Sequence, residues 1–274
     1  MSSFKSSCTS RLFGKFASKK FPSFFQNIVN KSYVSLMKLD MSEFDTCDKY
    51  KSLNELFTRA LKKPREFESN EDEFISPCDA FISESGNIEE QKALQIKGHS
   101  YRVRNLLGDY ILKDQKDRLI NGKYLNFYLS PKDYHRYHVP FDMTIKKAVH
   151  IPGKLYPVNF TWLKKVPELF VENERVILEC YTKDEKLFYM VFVGALNVGK
   201  MQFIFDERIQ TNAKTSMEQP YMYKNLFLKK GDELGRFEMG STIVMLFEKD
   251  MVELTCKKNN SIKFTQKICN TINI

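Results

Sequence analysis

The first 39 residues of the chain contain no aspartate or glutamate, although 34 acids follow within its 274 residues. Histidine is scarce, with four in all, and the six cysteines (Cys8, Cys47, Cys78, Cys180, Cys256, Cys269) form no CxxC pair. That dispersal argues against a zinc framework or a disulfide scaffold, so no metal is expected and a reducing, cytosolic-side setting follows. No stretch approaches the ~20 apolar residues that a membrane-crossing helix needs, and no uninterrupted apolar run marks a secretory signal. The GxSxG elbow of hydrolases is missing, as are internal repeats and low-complexity linkers.

What the N-terminus has instead is base. Lys5, Arg11, Lys15, Lys19, Lys20, Lys31 and Lys38 supply seven of the net +9 charges, which leaves the remainder near neutrality. Phe4, Leu12, Phe13, Phe16, Phe21, Phe24, Phe25, Ile28 and Val29 alternate with these bases near helical spacing, and Pro22 divides the segment. Residues 1–45 therefore read as a basic amphipathic helical segment suited to an anionic membrane surface. Two alternatives stand beside it: an organelle-targeting peptide, and a helix that docks its Phe face on the core. A nucleic-acid module would spread its bases over a β face with exposed aromatics, so nucleic acid is not the expected partner.

Ser52 to Lys63 (SLNELFTRALKK) reads as a helix, with Ser52 as cap, Glu55 as its capping-box partner, Leu53, Leu56, Phe57 and Leu61 on one face, and Pro64 as terminator. From Phe74 the pattern changes to short β-like runs: FISP, ALQIKG, YLNFYLS, AVHIPG, RVILECYT, KLFYMVFVGAL, KMQFIFD and STIVMLFE. The expected fold is α+β, N-terminal helices followed by a core of mostly antiparallel β-sheets, with residues 46–274 as one catalytic domain. The polar stretch from Asp206 to Asn225 is expected to be a long loop.

Three stretches carry groups capable of chemistry. In YLSPKDYHRYHVP, His135 and His138 lie three apart between Pro131 and Pro140; on a helix both rings would share a face, but the prolines and the lack of a third ligand weaken a metal reading. Asp79 sits in a polar turn of ISPCDAFISESG, as consistent with an Asx-turn as with catalysis. Gly240, Ser241 and Thr242 precede a buried β-like run, where a turn is the plain interpretation. An acid that orients a histidine, which in turn deprotonates a serine, would make Ser241 a nucleophile.

The blocks SPCDAFISESG, LQIKG with LLGD, FYLSPKDYHRYHVP, PGKLYPVN, LFVENERV, VGALNVGKM and KKGDELGRFEMGSTIVMLF occur in an order and spacing that resembles the phosphatidylserine decarboxylases of the bacterial proenzyme type, from about Ser52 to Glu248. The sequence departs from that pattern at Met239, where Leu is commoner, and at Cys78 and Ala80, where many members carry Ala and Gly. The resemblance implies that His138, oriented by Asp79, takes the proton of Ser241, whose oxygen attacks Gly240. The chain would then part into subunits 1–240 and 241–274, and Ser241 would become a pyruvoyl group. A Schiff base between that group and the amine of phosphatidylserine would release CO₂ and leave phosphatidylethanolamine, with His135 as candidate for the proton or the substrate carboxylate. It further implies a homodimer, peripheral on the cytoplasmic face of the cell membrane. A conventional serine hydrolase would instead keep Ser241 within one unbroken chain, and a non-catalytic lipid-surface protein would keep the fold without cleavage.

Overall fold

The computed structural model describes residues 14, 16–68, 70–96, 98–196, 200–212, 217–238 and 241–272. Its first long element, α1 (Ser23–Met37), is turned opposite to an ordinary amphipathic helix. It docks through amides: Gln26 Nε2 donates to Asn30 Oδ1 at 2.8 Å, and Asn30 Nδ2 donates to the carbonyls of Cys47 and Tyr50 at 2.9 Å each. Buried amides are tolerated there because each finds a partner. Phe24 and Leu36 point outward, 81% and 78% exposed, with Phe25 and Ile28 about half exposed. These four residues do not pack on the core, and Phe4, Leu12 and Phe13 of the same pattern lie outside the described residues. No helix among the described residues is long and apolar enough to cross a membrane.

The next helix, α2 (Leu53–Phe57), has the expected cap, Ser52 Oγ accepting from the Glu55 N–H at 3.1 Å, while the Glu55 carboxylate accepts from the Lys51 N–H at 2.7 Å. It stops six residues short of the expected end at Lys63. The Thr58 hydroxyl donates to the Asn54 carbonyl at 2.8 Å, and beyond it the chain turns so that Arg59 is buried and Leu61 joins Phe44, Ile75 and Tyr134 in a separate apolar cluster.

Among the described residues, sixteen strands and four further short helices follow: β1 (Glu73–Ile75), β2 (Ala80–Asn87), β3 (Lys92–Ile96), β4 (His99–Arg102), α3 (Val103–Leu107), α4 (Lys113–Asp117), β5 (Lys123–Leu129), β6 (Arg136–His138), β7 (Met143–Ile151), α5 (Phe160–Lys165), α6 (Leu169–Glu172), β8 (Arg175–Tyr181), β9 (Leu187–Val193), β10 (Met201–Phe203), β11 (Gln219–Leu228), β12 (Glu233–Phe237), β13 (Ser241–Phe247), β14 (Val252–Leu254), β15 (Ser261–Ile262) and β16 (Lys267–Thr271). The eight-stranded sheet runs β11-β7-β8-β9-β13-β5-β2-β15, and three-stranded sheets β10-β12-β6 and β1-β16-β14 accompany it. All of its strand pairs are antiparallel, so the expected α+β architecture is the observed one.

The runs in β8, β9 and β13 are continuous because both faces of the sheet are covered. One face of β13, with Ile243, Met245 and Phe247, packs with Phe74, Tyr137 and Phe237; the other, with Val244 and Leu246, packs with Leu106, Leu163 and Phe170. The expected loop at 206–225 needs correction. From Gln219 onward the chain is the edge strand β11, in which half-buried Tyr221 and Tyr223 alternate with exposed Met222 and Lys224. The strand hides because exposed Met222 and Phe227, together with a register shift between Met222 and Leu226, break the polar–apolar alternation that marks an edge strand.

Candidate active site

Ser241 opens β13 at the centre of the large sheet, paired with Leu129 of β5. Strand alternation turns its side chain to the same face as Ile243, while Thr242 faces the other way. The Ser241 hydroxyl is fully buried and has no hydrogen-bond partner. Burying a hydroxyl without compensation is costly, so a neighbouring reaction is a reason to look further. Met239 and Gly240, and with them the expected scissile carbonyl, lie outside the described residues.

His135 reaches this end of the sheet through β12. The Phe237 N–H, four residues before Ser241, donates to the His135 carbonyl at 3.0 Å. The segment before it is a turn rather than a helix: the Asp133 N–H donates to Ser130 O at 2.9 Å, and the Ser130 N–H donates to Asp133 Oδ2 at 2.7 Å. The chain then extends into β6, so a spacing of three does not bring the two imidazoles onto one face as a helix would. His135 donates from Nδ1 to the Asp133 carbonyl at 2.8 Å and packs against Phe57, ring centres 4.0 Å apart and planes tilted by 45°. Its Nε2 is therefore the basic nitrogen, buried and unpartnered. Burial, reinforced by nearby Arg59 and only partly opposed by the bond to Asp133, lowers its pKa to about 3, so the ring is neutral at pH 7.

His138 is engaged on both sides. Nδ1 donates to the Gly231 carbonyl at 3.0 Å, and Nε2 accepts from the Tyr134 hydroxyl at 2.9 Å. Burial lowers its pKa to about 4, against the raising effect of the Gly231 bond. The direct hydrogen bond expected from Asp79 is not what the fold makes. The Asp79 carboxylate accepts from Arg65 Nη1 and Nη2 at 2.5 and 2.8 Å and from the Phe264 N–H at 2.8 Å. A fork-shaped guanidinium satisfies both carboxylate oxygens at once, and a single imidazole N–H cannot compete with that pair. The link between Asp79 and His138 runs instead through Phe264, whose ring lies on the imidazole with centres 3.7 Å apart.

The strand register still gathers the distant stretches. Ser241 faces Leu129, and Phe81 faces Tyr128, so Ala80 lies in line with both. Two strand spacings put the backbone beside Asp79 about 10 Å from that of Ser241. A cleft of about 380 Å³, lined among others by Lys200, Gln202, Glu233 and Arg236, runs along β10 and β12; Asp79, both histidines and Ser241 are not among its lining residues. Arg59, Arg65 and Tyr134 escaped the sequence reading. A signal existed for Arg59, a charge three residues after Leu56 on the apolar side of the helical pattern.

A buried serine hydroxyl and a neutral histidine with a free ring nitrogen are groups of the kind that nucleophilic catalysis uses. A family model described as phosphatidylserine decarboxylase matches residues 53–270. The phosphatidylserine decarboxylase proenzyme of Campylobacter jejuni is 49% identical over 265 residues, covering 95% of this chain and 97% of that protein. The proenzyme of Helicobacter pylori is 48% identical over 262 residues (94% and 96%), and that of Pseudoalteromonas atlantica 39% over 251 residues (89% and 86%). The chain is an enzyme of the phosphatidylserine decarboxylase family.

Proposed function

We propose that the chain decarboxylates phosphatidylserine with a pyruvoyl group that it makes from its own Ser241. The observation that carries this reading is the buried, unpartnered Ser241 hydroxyl at the head of β13. A serine at that position fits the group: the new chain end would stay dry and anchored by the β5 and β9 ladders.

Formation of the group would begin with proton transfer from Ser241 to His138. His138 has its lone pair on Nε2, because Nδ1 donates to Gly231, and exchanging the Tyr134 hydroxyl for that of Ser241 trades one hydrogen bond for another. With its proton taken, Ser241 Oγ attacks the Gly240 carbonyl and converts the amide into an ester. Loss of the Ser241 α-proton then breaks the ester C–O bond and frees 1–240 as a carboxylate. The unsaturated residue left at 241 takes up water and releases its nitrogen as ammonia. Asp79 is a positioning residue in this scheme, since it holds Phe264 under the imidazole.

The pyruvoyl group would supply an electron sink, condensing with the substrate amine and accepting the electron pair left when CO₂ departs. His135 holds a neutral ring with a free Nε2 for the substrate proton. Helix α1, with Phe24, Phe25, Ile28 and Leu36 outward and lysines on the same segment, is the face that meets an anionic bilayer, peripheral on the cytoplasmic side. The working form is a homodimer, which its mass in solution tests.

The decisive experiment is a denaturing gel with mass spectrometry of the small fragment. The expected result is a fragment beginning at residue 241 with a blocked, pyruvoyl N-terminus, and an unbroken, inactive chain for Ser241→Ala. An active preparation in which the chain stays whole, or cleavage of Ser241→Ala, rejects the reading.

A further inference from the structure

A cavity of about 250 Å³ lies where α1 begins, walled in part by Lys20, Gln26, Asn27, Asp48, Tyr50 and Lys51. Its polar walls are unevenly satisfied. Gln26 is spent, since Oε1 accepts from the Phe21 N–H at 3.4 Å and Nε2 donates to Asn30. Asn27 Oδ1 and the Tyr50 hydroxyl, by contrast, are buried atoms without a partner. Each idle atom carries a desolvation cost that a ligand with the complementary group would relieve. Lys20 and Lys51 belong to no ion pair among the described residues. Asp48 is ionised, its pKa lowered by the Thr46 hydroxyl and by its own N–H.

The cavity is separate from the Ser241 site. Within α1 it is Tyr33 that reaches that site, donating to the Pro131 carbonyl at 3.3 Å in the turn that leads to His135. Tyr33 lies ten residues beyond Ser23, or about 15 Å along the helix. What borders the cavity instead is an aromatic rim. Phe21, one of its lining residues, packs on Phe16 and Phe25 with ring centres 5.8 and 5.2 Å apart. Phe16 and Phe25 are half exposed, and Phe24 beside them points outward. A polar hollow rimmed by exposed rings and lysines is the arrangement of a surface that seats a headgroup while its rings enter the acyl boundary.

The wall groups decide the ligand. A phosphate alone would use the two ammonium groups and the phenol, yet it would meet the Asp48 carboxylate and leave Asn27 Oδ1 idle. An amine alone has the reverse fault. A phosphate joined by a short arm to a primary ammonium answers every group at once. We propose that this cavity is a second phospholipid site, which holds the phosphodiester of an aminophospholipid between Lys20, Lys51 and the Tyr50 hydroxyl and its ammonium between Asp48 and Asn27 Oδ1. The proposal rests on the reading that α1 meets the bilayer. Phosphatidylserine and phosphatidylethanolamine share the required group, so substrate and product are both candidates for the seat.

The test titrates full-length Ser241→Ala calorimetrically with glycerophosphoethanolamine and with glycerophosphocholine, which carry the same charges and differ in the N–H groups of the amine. Glycerophosphoethanolamine is expected to bind about 10-fold more tightly, because only its ammonium donates to Asp48 and Asn27. Asp48→Asn should erase that preference. Lys20→Gln with Lys51→Gln, both at exposed positions, should weaken each ligand about 10-fold, while Lys38→Gln with Lys63→Gln, which removes the same charge outside the cavity, should weaken neither. Equal binding of the two ligands, or equal losses in the two lysine pairs, overturns the proposal. Phosphatidylcholine vesicles containing phosphatidylethanolamine or phosphatidylserine then separate the sources: a preference over pure phosphatidylcholine that Asp48→Asn removes assigns the seat to whichever lipid shows it. Vesicle binding indifferent to the cavity variants overturns the lipid site. Failure to bind any vesicle, with the discrimination between soluble ligands intact, rejects the reading of α1 and keeps the seat. A cavity that discriminates in a protein whose wild type leaves phosphatidylserine unchanged sinks the decarboxylase reading alone.

Discussion

The imidazole of His138 lies flat on the ring of Phe264, centres 3.7 Å apart, and the backbone N–H of that phenylalanine donates to Asp79 at 2.8 Å. An acid and a histidine 59 positions apart in sequence are thus coupled through a third residue near the C-terminus. Such a stack is worth about 0.5–1.5 kcal/mol, so Phe264→Leu is expected to slow self-cleavage about 3- to 10-fold while leaving the Arg65–Asp79 pair in place. The measurement is a time course of precursor and fragments on a gel after translation in vitro. A rate equal to wild type would remove Phe264 from the relay.

Both histidines have pKa values below their ordinary 6.5, at about 3 for His135 and about 4 for His138, because burial penalises the charged ring. The unfolded chain therefore binds more protons than the folded one between those values and 6.5. Stability rises with pH across that window, is fully present above 6.5, and is lost on acidification, by at most about 1.4 kcal/mol per pH unit for each histidine. Asp133 acts in the opposite sense, since burial raises its pKa and protonation relieves it. The melting temperature is expected to fall from pH 7 to pH 5, and to fall less steeply in His135→Gln. Identical pH slopes in the two proteins would contradict the burial of a neutral His135.

The parts of this fold that were legible in the sequence are those fixed by local pattern. Both-face burial writes itself as the unbroken runs of β8, β9 and β13, and Ser52 with Glu55 marks the start of α2. Strand β11 was missed because exposed Met222 and Phe227 and a register shift break its alternation. At the site, Asp79, His135, His138 and Ser241 were visible through their motifs, and their gathering at one end of the sheet follows from pairing that no motif encodes. Arg65, Tyr134 and Phe264 were not visible. Their roles arise from contacts such as the Arg65 fork on Asp79 and the Phe264 stack, made between segments far apart in the chain.

Gly235 lies where β12 passes between β10 and β6, and a Cβ there would stand 2.0 Å from the Gln202 carbonyl and 2.7 Å from the Tyr137 ring. Backbone cannot yield by that much without breaking the ladder. Gly235→Ala is expected to destabilise the protein by about 2–4 kcal/mol and to slow cleavage, because the same strand carries Phe237 to His135 and the chain on to Ser241. Chemical denaturation of the inactive precursor Ser241→Ala, with and without the second change, checks this. A difference below about 0.5 kcal/mol would mean that β12 shifts to absorb the methyl group.

If α1 is the face that meets the bilayer, its phenylalanines contribute to vesicle binding and not to folding. Phe24 is 81% exposed and Phe25 49%, so Phe24→Ser and Phe25→Ser should leave the melting temperature within about a degree of wild type. In the bilayer boundary each ring would bury apolar surface worth about 1.5–3 kcal/mol, so each change should weaken binding to phosphatidylserine-containing vesicles about 10- to 100-fold. Lysines of the same segment, Lys19, Lys20 and Lys31, add an attraction that salt screens, so wild-type binding should weaken between 0.05 and 0.5 M salt, a range over which the screening length falls from roughly 14 to 4 Å. Loss of the rings should leave that salt dependence in place, because the charges remain. Co-sedimentation with vesicles of 30% anionic lipid and with neutral vesicles separates the two contributions, and self-cleavage, which is intramolecular, serves as the internal control for folding. Vesicle binding by the double variant equal to that of wild type would place the membrane contact elsewhere on the protein.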